Sequence, residues 1–212
     1  MAYLVIELQG SAIDLTISTT NLLRKAFVVA KKLKLNDFEN WISLELNGYY
    51  NKDVDIPEYR KVYGQLRAFN PYNGWVPTLF NGDMEMQELL STRKISDPIS
   101  ELEFLMNSKE DSLCITYPSN VEKQLGVMFG FETKYQLFVS KSKFQGILEL
   151  VRTTVLNWAL ELECDGILGE EMIFNETEKQ IAIQRNYTVN NFYGDVSNSQ
   201  IQQNSKNSKQ TK

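Results

Sequence analysis

The chain lacks the side chain most often used for acid–base chemistry at neutral pH, because none of its 212 residues is histidine. Histidine is also the commonest metal ligand and the usual base for serine and cysteine nucleophiles. Catalysis would therefore depend on carboxylates such as Glu45, Glu161 and Glu163. On a helix, Glu161 and Glu163 point to different sides and cannot jointly hold a metal ion. We predict no catalytic residue, no metal and no cofactor, although the sequence alone leaves open whether the chain is an enzyme.

A second group of residues mixes aromatic rings with cations. Its members between residues 59 and 75 are Tyr59, Arg60, Lys61, Tyr63, Arg67, Phe69, Tyr72 and Trp75. Rings beside cations can stack nucleic-acid bases. The same composition is also typical of a half-buried sheet with a loop folded over it. Further along, Arg93 follows two hydroxyl residues in STRK (91–94), where it could hold an anion or simply end a helix.

The elements that must position these residues follow from hydrophobic spacing. Apolar residues at helical intervals predict three helices within the first 50 residues. Further helices are predicted at 84–91, 98–106, 119–128, 142–164 and about 170–181. Between residues 50 and 82, three prolines and three glycines interrupt short β-prone runs, which predicts two strands joined by a long loop, NPYNGW. Two more strands are predicted at 111–117 and 133–141.

Together these elements predict an α+β fold with a helical N-terminal part, a small antiparallel or mixed sheet, a long C-terminal helix and a low-complexity β-prone tail. A hydrophobic content of 42% is sufficient for a packed core, and the net charge of −5 argues against a dedicated nucleic-acid-coating protein. Cys114 and Cys164 lie in apolar runs and are predicted to be buried. No apolar stretch reaches 18 residues, so we expect a cytoplasmic protein with no membrane segment.

Several stretches, in order along the chain, resemble the AbiTii family. They include LLRKAFVVAKKL (22–33), WISLELNGY (41–49), PEYRKVYGQL (57–66), NPYNGWVP (70–77) and QGILELVRTTVLNWALELECDGILGE (145–170). The resemblance spans about residues 4–193. It implies a role in abortive infection, in which a bacterium resists phage by arresting or killing the infected cell. It supplies no catalytic mechanism.

The resemblance and the aromatic group together select six candidates for binding a partner or an anion: Arg60, Asn70, Tyr72, Trp75, Arg93 and Arg152. We expect the protein to act through protein–protein interaction or self-assembly, with a phage or host protein as a possible partner. The alternative is a nucleic-acid-binding or nuclease-like toxin that uses the aromatic and arginine surface. Nucleic acid is the less favoured partner.

The last 27 residues differ in composition from the rest, which divides the chain into an α+β domain (1–185) and a tail (186–212). Asn, Gln and Ser make up 14 of these 27 residues. From Asn190 onward, four apolar residues interrupt the polar run: Phe192, Tyr193, Val196 and Ile201. Two short β-prone segments separated by a turn are too small to be stable alone, but copies from several chains can stack. The alternative is a flexible end that docks on its own domain. We predict a homo-oligomer assembled through residues 187–203.

Overall fold

The computed structural model describes residues 3–51 and 53–189, which form eight α-helices and six β-strands. The helices are α1 (Leu4–Ile13), α2 (Thr19–Leu33), α3 (Asn36–Asn47), α4 (Met84–Ser91), α5 (Ile99–Met106), α6 (Ser119–Phe129), α7 (Lys141–Cys164) and α8 (Glu176–Arg185). The strands are β1 (Lys61–Tyr63), β2 (Gln65–Asn70), β3 (Gly74–Pro77), β4 (Thr92–Lys94), β5 (Ser112–Thr116) and β6 (Tyr135–Ser140). The predicted α+β class is confirmed. In the described part of the chain, no helix combines the length and apolar content that crossing a membrane requires.

The helical half of the fold is built around α7, which packs against α1, α2 and α5. Trp158 of α7 is fully buried, and its ring stacks on Phe38 of α3 with centroids 4.3 Å apart. Helix α2 is capped by Ser18, whose hydroxyl accepts a hydrogen bond from the Asn21 amide at 3.1 Å. A side chain that satisfies a free amide of the first turn in this way fixes the start of a helix.

The main sheet is antiparallel throughout, with strand order β3-β2-β6-β5. Its inner face is buried on the two central strands, at Leu66, Ala68, Tyr135, Leu137 and Val139, and partly buried on the outer strands, at Val76, Leu113 and Ile115. The Tyr135 ring stacks on Phe129 of α6 with centroids 5.8 Å apart, so α6 covers this face. Strands β1 and β4 form a separate two-stranded antiparallel ladder.

The region predicted to hold two strands and a long loop holds three strands and one tight turn. Gly64 separates β1 from β2 within the run KVYGQLRAF. No side chain fits at this position, since a Cβ would lie only 2.7 Å from the Phe138 carbonyl oxygen. Strands β2 and β3 are joined by a hairpin turn in which the Asn70 side chain accepts hydrogen bonds from the amides of Tyr72 and Asn73, at 2.9 and 3.1 Å. This Asx turn replaces the expected loop.

The last helix lies later in the chain than predicted, at 176–185 instead of about 170–181. Its start is fixed by a capping box, in which Asn175 accepts from the Glu178 amide at 2.9 Å and Glu178 accepts from the Asn175 amide at 2.8 Å. Glu178 also accepts from the amides of Leu168 and Gly169, at 2.9 and 3.0 Å. The preceding segment is therefore held as a turn instead of a helix.

The prediction of buried cysteines was wrong, because both thiols are free and exposed. Cys114 lies on the solvent side of β5, where alternate residues point outward, and Cys164 is the last residue of α7. A run of apolar neighbours does not decide which way one residue in the run points.

Residues 187 and 189 pack on the domain, although the predicted domain boundary lies at 185. Tyr187 and Val189 are both buried, and the Tyr187 hydroxyl donates to the Asp165 carboxylate. The Val189 amide donates to Asp37 at 2.7 Å, close to the start of α3. The predicted assembly residues Phe192, Tyr193, Val196 and Ile201 lie outside the described residues.

Candidate functional site

The main sheet has a second face, which we call the outer face, made of the residues that alternate with the buried ones. Its members are Gln65, Arg67, Phe69, Trp75, Pro77, Ser112, Cys114, Thr116, Gln136, Phe138 and Ser140. In contrast to the inner face, none of these eleven residues is buried. A sheet with one solvated face usually carries polar residues there. Aromatic rings on this face are therefore unusual.

Three aromatic side chains form a continuous cluster on the outer face. The ring centroid of Trp75 lies 5.4 Å from that of Phe69 and 5.5 Å from that of Phe138, both in edge-to-face arrangements. The Arg67 guanidinium carbon lies 4.6 Å from the Phe138 centroid, and its Nε donates to Gln65 at 2.8 Å. Phe69 remains 39% exposed. Partly desolvated rings beside a cation are typical of binding surfaces.

Three of the six predicted interaction residues lie in the β2–β3 hairpin. Asn70 forms the turn, Tyr72 stands at its tip with 95% of its surface exposed, and Trp75 belongs to the aromatic cluster. The hairpin therefore presents one free ring at its tip and one ring on the sheet. Asn70 itself is committed to the turn through its side-chain oxygen.

Arg60 lies in the core, at the end of a 3-10 turn (Glu58–Arg60) that leads into β1. Its Nη2 and Nε bind the two carboxylate oxygens of Glu45 on α3, at 2.5 and 3.1 Å. Its Nη1 donates to the carbonyls of Ile95 and Asp97, at 3.1 and 2.7 Å. Both side chains of this ion pair are 0% exposed. Arg60 joins α3 to the β1–β4 ladder and the segment before α5, so we assign it to the fold and not to a binding surface.

Two tyrosines complete the buried centre around Glu45. The hydroxyls of Tyr49 and Tyr59 both donate to Glu45 Oε1, at 2.6 and 2.5 Å. Burial, followed by the nearby negative charge of Glu45, raises the pKa of each phenol far above its ordinary value of 10.0. These phenols are held in the neutral, hydrogen-bond-donating form.

These raised pKa values predict a loss of stability in alkali. Above pH 10 the unfolded tyrosines ionise while Tyr49 and Tyr59 stay protonated in the folded state, so stability is complete below pH 10 and falls above it. Each such tyrosine contributes a slope of about 1.4 kcal/mol per pH unit. Urea unfolding at several pH values should show a shallower alkaline slope for Tyr49→Phe than for the wild type. Parallel slopes would contradict this account.

Arg152 of α7 is the second buried candidate arginine, with 6% of its surface exposed. Its guanidinium donates to four backbone carbonyls at the end of α1 and in the turn that follows: Ser11, Ala12, Asp14 and Ile17, at 3.1, 3.0, 2.8 and 2.7 Å. The last carbonyls of a helix have no partner within the helix. Arg152 supplies hydrogen-bond donors to these carbonyls from a helix distant in sequence. We therefore assign Arg152, like Arg60, a role in stabilising the fold.

Arg93 lies on β4, and its guanidinium carbon is 4.7 Å from the centroid of the Tyr117 ring. It lines a shallow pocket of about 560 Å³ together with Lys61, Glu88 and Lys94. The neighbouring Thr92 hydroxyl is buried and has no hydrogen-bond partner among the described residues. The pocket is lined by both positively and negatively charged side chains. Arg93 belongs to the β1–β4 ladder, whereas the aromatic cluster lies on the main sheet.

Two residues at the aromatic cluster of the outer face, Phe138 and Lys134, were not among the candidates selected from the sequence. Lys134 precedes β6, is exposed, and lies opposite Phe69, whose amide donates to its carbonyl at 2.9 Å. Side-chain alternation places it on the same side as Phe69. Alternation within TKYQLFVSK predicts that Lys134, Gln136 and Phe138 lie on one face of a strand. The sequence does not predict that this strand pairs with β2, and it is this pairing that places the face beside Phe69.

Comparison with protein families gives a match over most of the chain. The family model AbiTii matches residues 3–187 of the chain. No curated protein matches, and neither does any solved structure. In residues 3–51 and 53–189, acidic and thiol side chains form no cluster of three or more that could hold a metal ion.

Proposed function

The chain belongs to the AbiTii family, and from this premise we propose that it defends bacteria against phage by abortive infection. The family match supports this role because it covers 185 of the 212 residues, from 3 to 187. In abortive infection the infected cell stops growing or dies before phage progeny are released, which protects the surrounding population.

We propose that the protein acts by binding other macromolecules. The observation that carries this proposal is the outer face, where three aromatic rings and Arg67 remain accessible on a rigid antiparallel sheet. The chain also has no histidine to serve as a general base. Tyr49 and Tyr59, whose pKa values are raised by burial, are committed to Glu45 in the interior.

The defence role is tested by expressing the chain in a phage-sensitive bacterium and counting plaques. We expect fewer plaques than with an empty vector, together with arrest of infected cultures before phage release. Trp75→Ala and Tyr72→Ala test the half-buried and the exposed ring of the hairpin, and Phe104→Ala is a control on α5, where the ring is 75% exposed. Plaque counts equal to the empty vector for the wild-type chain would reject the defence role.

A second part of the proposal concerns self-assembly through the segment after Val189. Its support is compositional, since Asn- and Gln-rich segments with a few apolar residues stack readily between chains. Phe192, Tyr193, Val196 and Ile201 are the candidate contacts. Because Tyr187 and Val189 pack on the domain, the proposed assembly segment begins at residue 190 and not at 187.

Two truncations separate assembly from folding. Removal of residues 190–212 should reduce the molecular mass in solution to that of a monomer and leave the free energy of unfolding unchanged. Removal of residues 186–212 also deletes Tyr187 and Val189, and the lost burial should lower that free energy by about 2 kcal/mol. Light scattering measures the mass and urea unfolding the stability. An unchanged mass after removal of residues 190–212 would reject the assembly proposal.

The alternative partner, nucleic acid, is favoured by one observation, the position of Arg67 and Lys134 beside the aromatic cluster. Arg60 and Arg152 are buried within the fold. A nucleic-acid surface would therefore use the outer face and not the cations first selected from the sequence.

A further inference from the structure

The outer face combines aromatic rings with polar side chains. Its large apolar side chains are all aromatic, and its eleven positions hold no Leu, Ile, Val or Met. Aromatic and Arg side chains are also enriched at the centres of contacts between proteins, so the partner must be identified from the polar and charged groups around the rings. The remaining outer-face positions are mainly amides and hydroxyls, such as Gln65, Gln136 and Thr116.

The rings lie where bases could reach them. Phe69 and Trp75 face each other across β2 and β3, and Phe138 lies two strands from β3 on β6. Arg67 covers one side of Phe138, so its planar guanidinium adds a further surface on which a base can stack. Unstacked bases of single strands bind to aromatic and guanidinium planes on sheets in this way.

The charge on this part of the sheet suits a phosphate backbone. Arg67 and Lys134 flank the rings, and the outward positions of the four strands include no acidic residue. The nearest acids along β5, Glu110 and Asp111, precede that strand at the sheet edge opposite β3. On the β3-β2-β6 half, the outward strand positions and the adjoining Lys134 thus carry two cations and no acid, on a chain whose net charge is −5.

We propose that the outer face binds single-stranded nucleic acid, with bases stacked on Phe69, Trp75 and Arg67 and the backbone held by Arg67 and Lys134. This inference rests on the proposal that the protein acts by binding other macromolecules, and it identifies the partner of the outer face. The amide and hydroxyl groups of Gln65, Gln136 and Thr116 lie within the same face and can hydrogen-bond to base edges. A duplex is a poorer ligand because its bases are already stacked and paired.

Binding is measured by fluorescence anisotropy of the full chain with labelled single-stranded DNA and RNA of about 12 nucleotides, and with the matching duplexes. We expect saturable binding to at least one single strand at about 50 mM salt, weaker binding at about 200 mM, and weaker binding to the duplex. The two single-stranded arms decide between DNA and RNA. No binding to either strand at low salt would overturn the proposal.

Matched substitutions test the face itself. Phe69→Leu retains an apolar side chain but removes the ring, and should weaken binding about 10-fold. Arg67→Gln should weaken binding and flatten its salt dependence. Phe104→Leu and Arg24→Gln make the same changes at exposed positions on α5 and α2 and should have no effect. If Phe69→Leu binds like the wild type, the face holds its ligand by apolar contact or charge alone, and the stacking proposal is wrong.

A direct signal comes from Trp75, because the other tryptophans, Trp41 and Trp158, are buried. A base stacked on Trp75 should quench its fluorescence during titration. Trp75→Phe keeps an aromatic ring, so it should bind nearly as well but lose the quenching. Binding by the wild type without quenching would contradict stacking at this position.

The same variants are tested in parallel for phage protection and for mass in solution. Failure of the wild type to protect cells would reject the defence role while leaving the binding result unaffected. Failure to bind would overturn this inference and leave the defence role standing. If Phe69→Leu changes the molecular mass and no nucleic acid binds, the occupant of the face is a second copy of the chain, and the inference is likewise overturned.

Discussion

Replacement of Arg60 by methionine is expected to lower the free energy of unfolding by about 4 kcal/mol. The substitution keeps the volume of the side chain but leaves the Glu45 carboxylate buried without its cation. It also removes the donors that the carbonyls of Ile95 and Asp97 accept from. Breaking a fully desolvated ion pair on one side has a large cost because the remaining charge cannot return to water.

Urea unfolding of the wild type, Arg60→Met, Glu45→Gln and the double variant measures this coupling. The double variant should lose clearly less than the sum of the single variants, since it leaves no unpaired charge. Lys31→Met is the matched control, because Lys31 and Glu39 are also 2.5 Å apart but their side chains are 63% and 21% exposed. It should have a far smaller effect, because water and salt screen an exposed pair. Equal losses for Arg60→Met and Lys31→Met would contradict the role assigned to burial.

The pairing of Arg60 with Glu45 could not be predicted from the sequence. Arg60 was selected as a binding residue because it lies among aromatic residues, and Glu45 was recognised only as one carboxylate on a helix. Nothing in local spacing indicates that a residue on α3 and another 15 positions later meet in the core. Their pairing depends on how the 3-10 turn and the β1–β4 ladder pack beside α3, which is a tertiary property.

The helices were predicted well because their signal is local. The apolar periodicity of α7 placed it at 142–164, and the structure has it at Lys141–Cys164. By contrast, β4 is three residues long and was missed, since Thr92–Lys94 is too short to show alternation. Its pairing with β1 supplies the backbone partners that a strand of this length needs.

Only part of the outer face could be predicted from the sequence, because the rest depends on strand pairing. Phe69, Trp75 and Arg67 lie close together in sequence and were identified as one group. Phe138 joins them from about 65 residues later through the pairing of β2 with β6, where Gln65 lies opposite Phe138. Strand pairing across such a distance cannot be obtained from the alternation of either strand alone.

Arg152 stabilises the junction between α1 and α2 through hydrogen bonds to backbone carbonyls. Helix α1 ends at Ile13, and the chain then turns through residues 14–18 before α2 begins. Four carbonyls from this region converge on one guanidinium, and those of Ser11 and Ala12 are bound in the interior. A cation at the C-terminal end of a helix also interacts favourably with the helix dipole. The junction of α1 and α2 thus depends on a side chain from α7.

Replacement of Arg152 by leucine should therefore lower the free energy of unfolding by about 3 kcal/mol, because the buried carbonyls of Ser11 and Ala12 lose their charged donor. Arg152→Lys keeps the charge but not the planar fork of donors, so its loss should be intermediate. Arg24→Leu, on the exposed side of α2, is the control and should change stability by no more than about 0.5 kcal/mol. Hydrogen exchange adds a local measurement, since the amides of α1 and of the turn should exchange faster in Arg152→Leu than those of α6. If Arg152→Leu unfolds at the same urea concentration as Arg24→Leu, the four carbonyl contacts do not hold this junction together.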